Sequence, residues 1–138
     1  MSQIRIVICR VNEKNPAEMK EIASYDLPKT EIRTLDAERA LDEMEATLHK
    51  QGQVVLKRAL QAQFEEMERD LVEAYRQGFP PEDVTSDGHS AVTVVSRFGR
   101  LELNRQVLNH RQSHVTGHVM PGNQALPTHN GVIITRGV

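Results

Sequence analysis

The first eleven residues alternate. From Gln3 to Val11, Ile4, Ile6 and Ile8 fall on one side with Arg5, Val7 and Cys9 alternating between them, and Arg5 and Arg10 interrupt the apolar run. Period-two alternation in a β-branched stretch predicts a strand. Asn15-Pro16 breaks it, and Glu21 to Leu27 predicts a second short strand ended by Pro28. The period then changes. From Asp36 to Gln77, Ala37, Leu41, Met44 and Leu48 recur at helical spacing, and after Gly52 a second stripe runs Leu60, Phe64, Met67, Leu71 and Ala74. The second stripe is offset by about one position from the continuation of the first, which predicts two helices or one helix kinked near Gly52. Thr34 or Asp36 can cap the start, and Gly78-Phe79-Pro80-Pro81 ends the segment. Glu65–Arg69 and Arg69–Glu73 are expected as surface pairs.

Beyond the helix, Glu82 to Ser90 reads as a polar linker carrying the turn formers Asp83, Ser86, Asp87 and Gly88. Ala91 to Asn109 reads as a β-hairpin. Its turn is Arg97-Phe98-Gly99-Arg100, with Gly99 able to take positive φ. In the return strand Leu101, Leu103 and Val107 share one face, and Arg105 lies on that apolar side, where it must reach a partner or an edge. Pro121-Gly122-Asn123, Pro127 and Asn130-Gly131 punctuate an irregular tail closed by Val132-Ile133-Ile134. The expected fold is α+β in four stretches: an N-terminal β segment over 1–33, a helical segment over 34–78, a linker over 79–90, and a hairpin with tail over 91–138.

At 138 residues the chain has room for one domain, or for a helical segment with a small β module. Apolar residues make up 38% and aromatics 4%, with no Trp, so the core is expected to be thin and aliphatic. No apolar run approaches the roughly 20 residues of a membrane helix. The Ile4–Val11 stretch is too short and too charged for a signal-peptide core. The single cysteine, Cys9, cannot close an intrachain disulfide, and its strand position suggests a buried packing thiol. A cytoplasmic protein without cofactor follows as the expectation.

The net charge of −2 hides an asymmetry. Thr30 to Arg76 holds 11 acidic and 7 basic residues, whereas His89 to Val138 holds five Arg, no Lys and one acid, Glu102. Five of the six histidines also fall in this last part. A basic, acid-poor C-terminal third favours contact with a polyanion. Its arginines on and around a two-stranded ribbon, Arg97, Arg100, Arg105 and Arg111, can meet phosphates or enter a groove. His110, His114 and His118 are spaced four apart, but Val115-Thr116-Gly117 argues against a helix there and no Cys or acid accompanies them, so a metal site is not expected. His129-Asn130 reads as part of a turn rather than as half of a nuclease site. The helical stripe of Leu60, Phe64, Met67 and Leu71 either packs on its own domain or meets a partner helix, giving a homodimer.

The run Ser96 to Val107, followed by His118-Val119-Met120-Pro121-Gly122-Asn123, Leu126-Pro127 and His129 to Gly137, resembles the N-terminal region of bacterial insertion-sequence transposases of the ISKra type. The helical layout from Leu41 to Gln77 is similar as well. The resemblance implies a protein of DNA transposition whose N-terminal part binds transposon ends, adding Arg136 to the DNA-contacting set. It implies that cutting belongs to an acidic catalytic domain beyond Val138, so that no catalytic residue and no enzyme activity are expected of this chain. The paired cysteines that many relatives carry between hairpin and Pro-rich turn are missing, which removes the zinc knob. Two other readings stand beside it: a helix-mediated interaction module that does not touch DNA, and a decaying gene fragment.

Overall fold

A computed structural model describes residues 2–29, 37–111, 118–126, 128 and 131–136. The fold is α+β. The elements are β1 (Arg5–Asn12), β2 (Asn15–Asp26), α1 (Ala37–Arg76), β3 (Val84–Ser96), β4 (Gly99–His110), α2 (Gly122–Ala125) and β5 (Val132–Ile134). The chain divides into two compact units, Met1–Ala59 and Leu60–Val138, the division falling inside α1. Among the described residues no helix is long and apolar enough to cross a membrane.

In the first unit β1 and β2 form an antiparallel pair, with Arg5 opposite Asp26 and Val11 opposite Met19. Asn12 then pairs with Asn15, so Pro16, Ala17 and Glu18 lie in a register shift. Pro16 therefore does not break the strand. It sits where its missing N–H costs no ladder hydrogen bond, and β2 begins earlier than expected. At the open end Arg5 Nε donates to Asp26 Oδ1 at 2.6 Å. That bond holds the Asp26 carboxyl below its usual pKa. Cys9 is exposed, which corrects the buried-thiol expectation: β1 turns Ile6 and Ile8 to the more covered side and Val7, Cys9 and Val11 to solvent.

The helix α1 is one unbroken element of 40 residues, so the two-helix alternative does not hold. Glycine is unfavourable inside a helix but removes no backbone hydrogen bond, and Gly52 alone does not stop the ladder. Arg69 pairs with Glu66 at 3.4 Å rather than with the residues expected.

The second unit is a sheet of order β4-β3-β5. β3 and β4 are antiparallel, and β5 lies parallel to β3, pairing Val94 with Ile133. Val132-Ile133-Ile134 thus has a packing partner, and Ile133 is buried. Residues 84–90, expected as linker, form the first half of β3. Their turn formers are used in a bulge: Ser86 pairs with Leu108 and His89 with Gln106, leaving Asp87 and Gly88 opposite Val107. Gly88 takes φ +85°, open to glycine without strain. Around this bulge the inward alternation of β4 skips. Leu101, Leu103 and Arg105 point inward, and then Leu108, not Val107, is buried.

Val92, Val94, Leu101, Leu103 and Ile133 form the main core, with Leu60, Phe64 and Leu126 packed on it. Val72, Val84 and Leu108 make a second cluster with Tyr75 and Phe79. Leu60 and Phe64 pack on the chain's own sheet, and Met67 and Leu71 are half-buried.

Arg105 is 0% exposed and ties β4 to the stretch around α2. Its Nη1 donates to Asn123 Oδ1 and its Nη2 to the Leu126 carbonyl. Glu68, also buried, accepts the Gln106 N–H on Oε1 at 3.0 Å. Burial pulls the Arg105 pKa down, and the Glu68 charge opposes that. Gly122 completes the joint: a Cβ there would run into Glu68 Oε2 and lie 3.1 Å from Arg105 Nε.

Removing Arg105 leaves Asn123 Oδ1 and the Leu126 carbonyl without their donor and takes away the cation near Glu68. Arg105→Ala is expected to destabilise the fold by about 1–3 kcal/mol for each buried acceptor left unpaired. Gly122→Ala should cost about 1–3 kcal/mol through overpacking. Urea unfolding followed by circular dichroism checks both; a loss below the ~0.5 kcal/mol of an ordinary surface substitution would remove the role assigned to either residue.

Candidate nucleic-acid interface

The β3–β4 turn is fixed by its own sequence. Ser96 pairs with Gly99, leaving Arg97 and Phe98 as the loop. Ser96 Oγ donates to the Gly99 carbonyl at 2.8 Å and accepts the Phe98 N–H at 3.2 Å. Gly99 adopts φ +107°, as its position in the turn required. Arg97 and Arg100 stand exposed on either side of this locked turn.

The parallel strand brings a third arginine to the same end. Arg100 is opposite Val95, Val95 pairs with Ile134, and the Thr135 N–H continues the pairing by donating to the Val95 carbonyl at 3.0 Å. Arg136 follows at once and is exposed. Three arginines separated by as many as 39 positions in the chain therefore gather at the turn end of the sheet. Glu102, two residues along the exposed face of β4 from Arg100, is the one acid of the basic third. Its backbone carbonyl accepts Gln61 Nε2 at 3.2 Å, tying α1 across the sheet.

The other two arginines named from the sequence lie elsewhere. Arg105 is buried, its guanidinium committed to Asn123 and Leu126, so it is not available to a phosphate. This corrects its assignment as a DNA contact: the inward alternation that places Leu101 and Leu103 in the core carries Arg105 in with them. Arg111 is exposed at the opposite end of the sheet, where its N–H donates to the Asp83 carbonyl at 2.8 Å.

No protein-family model, curated protein or solved structure matches this chain. The residues carry the functional reading by themselves.

At that opposite end sits a second polar arrangement, which sequence reasoning missed. His110 Nδ1 is 2.8 Å from Asp83 Oδ2 and His110 Nε2 is 2.7 Å from the Tyr75 hydroxyl. The histidine and aspartate side chains are 0% and 2% exposed. The carboxylate only accepts, so Nδ1 donates to it, and in the neutral ring Nε2 accepts a hydrogen bond from the Tyr75 hydroxyl. Phe79 closes the cluster edge-on, 4.5 Å from the imidazole. Both ring nitrogens are occupied, leaving no lone pair for a metal. His118 is exposed and pairs with Asp87 at 2.9 Å. His114, His129 and Asn130 lie outside the described residues. Among the described residues no cluster of three or more His, Cys, Asp or Glu offers a metal site. Tyr75, Asp83 and His110 end or precede three different elements, and no spacing rule links them.

Burial raises the Tyr75 pKa, and the nearby Asp83 charge adds to the shift. A phenol whose pKa is raised on folding favours the folded state below the ordinary tyrosine pKa, about 10. That contribution is lost as pH climbs through the raised value. Tyr75 is therefore expected to ionise above the ordinary tyrosine pKa in an ultraviolet pH titration, with stability falling over the same alkaline window. Tyr75→Phe should remove that late transition and cost about 1–3 kcal/mol by leaving His110 Nε2 unpaired. A titration whose most alkaline transition is unchanged by Tyr75→Phe would refute the assignment.

Proposed function

We propose that this chain binds duplex DNA as the N-terminal, non-catalytic segment of a transposase, holding phosphates with the turn end of its β3–β4 ribbon. The observation that carries this reading is the gathering of Arg97, Arg100 and Arg136, all exposed, at one end of one sheet. Their resemblance-bearing neighbours, Ser96 to Val107 and Val132 to Gly137, supply the link to transposition.

The chemistry suits phosphate rather than base recognition. Guanidinium groups offer forked donors that match phosphate oxygens. The turn that carries Arg97 and Arg100 is short and internally hydrogen-bonded, so little backbone freedom is lost on binding. Three sites of this kind give affinity and orientation, and sequence preference then comes from other contacts or from DNA shape.

A second reading, action through a partner helix, is supported by Leu41, Met44 and Leu48, which leave large apolar side chains exposed along α1.

Gel-shift titration with duplexes of transposon-end sequence tests the first reading. Each phosphate contact contributes about 0.9 to the slope of log affinity against log salt, so three contacts give a slope of about −2.7. Arg97→Ala, Arg100→Ala and Arg136→Ala are each expected to lower that magnitude by about 1, while Arg111→Ala, at the far end, leaves it unchanged. Salt-independent binding, or equal losses from Arg111→Ala and Arg100→Ala, would defeat the reading.

A further inference from the structure

Of the chain's three phenylalanines, two have a use inside the fold. Phe64 packs on the cluster around Val94, and Phe79 on the cluster around Leu108. Phe98 joins neither and sits in the loop between β3 and β4. Turn positions ordinarily go to Gly, Pro, Asn, Asp or Ser, which suit the backbone and stay in water. An aromatic ring there adds nothing to either core, and its half-buried position keeps part of its apolar surface in solvent. A residue that departs from the local rule without a gain in packing points to a use outside the fold.

Its surroundings name the partner. Arg97 precedes Phe98 and Arg100 follows Gly99, both exposed, and Arg136 reaches the same end through β5. Ile134 is 63% exposed and is the one large exposed hydrophobic side chain of the second unit among the described residues. It pairs with Val95, the residue opposite Arg100. Cationic and apolar groups therefore share one end of the sheet. A free anion would use the arginines and leave the ring in water. A duplex presents phosphates outside and apolar base faces between its stacked pairs, and so uses both.

The backbone is ready for such a contact. Ser96 Oγ accepts the Phe98 N–H at 3.2 Å and donates to the Gly99 carbonyl at 2.8 Å, so the ring is carried by a fixed turn. Phenylalanine is among the side chains that part a base step and kink the duplex, the unstacking cost being offset by the wider contact that the bend permits.

We propose that Phe98 inserts between adjacent base pairs of the bound duplex and kinks it, while Arg97, Arg100 and Arg136 hold nearby phosphates. This rests on the duplex-binding reading above and adds a source of sequence preference that needs no base-edge contact. Steps that unstack easily, such as TA and CA/TG, are kinked at the least cost and are bound best.

Energy transfer across short duplexes carrying a fluorescent donor and acceptor at their two ends tests the proposal with the full chain. Binding is expected to bring the ends closer, with a bend of about 20–90°. Phe98→Ala, its fold checked by circular dichroism, should abolish the bend and leave the salt slope unchanged, since no charge is lost. Phe98→Asn places a favoured turn residue in the loop and gives the same readout if the alanine variant does not fold. The unaltered chain should bind a duplex with a central mismatch, where stacking is already weakened, at least about tenfold more tightly than the matched duplex, and both variants should bind the two alike. A duplex bound with the expected salt slope but left straight, or a bend and mismatch preference kept by the Phe98 variants, overturns the wedge and leaves the phosphate reading standing. Straight DNA together with capture by phosphatidylserine vesicles that Phe98→Ala removes assigns the ring to a lipid surface and overturns the wedge as well. Failure to bind any duplex at low salt ends both readings.

Discussion

A charged group that is 0% exposed constrains everything packed around it. Arg105 sits on the inward face of β4 among Leu101, Leu103 and Leu108, where an unpaired guanidinium would be very costly. The fold meets most of that demand: Asn123 and the Leu126 carbonyl accept from the two Nη atoms, and the buried Glu68 of α1 lends its charge from nearby, while Nε has no hydrogen-bond partner among the described residues. Gly122 must stay without a side chain for these groups to meet. An aliphatic core with few aromatics could slide, since methyl groups pack in many registers. The directional bonds of Arg105 hold β4 to the tail, and Glu68 holds α1 to β4 through the Gln106 N–H.

That arrangement gives the sheet two unlike ends. At the turn end the local hydrogen bonds of Ser96 and the parallel pairing of β5 present Arg97, Arg100 and Arg136 to solvent. At the other end Asp83, His110 and Tyr75 spend their polar atoms on one another, with Phe79 covering the ring. His110 is thereby part of the packing. The turn end thus carries three exposed arginines, while at the other end the Asp83–His110–Tyr75 group turns its polar atoms inward.

The two units differ just as clearly in burial. Residues from Leu60 onward supply two clusters of buried side chains, while the described residues before Leu60 leave Ile4, Met19, Leu41 and Leu48 largely in water. A two-stranded ribbon such as β1–β2 is marginal by itself. The same helix thus buries one stripe in the second unit and leaves Leu41, Met44 and Leu48 exposed in the first.

Much of the local structure was legible in the sequence. The alternation of Leu101 and Leu103, the positive φ of Gly99 and the stop at Gly78-Phe79-Pro80-Pro81 are consequences of short-range sterics and periodicity, which a linear pattern records. The α+β order followed from them. Other features depend on residues that meet only after folding. Gly52 left open whether α1 continues, because one glycine weakens a helix without ending it. Asp87-Gly88 has the composition of a linker and of a bulge alike, and only pairing with β4 makes it a bulge. Arg105 on an apolar face announced that it needed a partner, but Glu68, Asn123 and Leu126 are brought to it by packing. Arg136 reaches Arg97 and Arg100 through a parallel strand whose register is decided by where Ile133 fits the core. Periodicity fixes which side of an element a residue occupies. What that side faces is settled by long-range burial and by the need to satisfy every buried charge, which no short window of sequence contains.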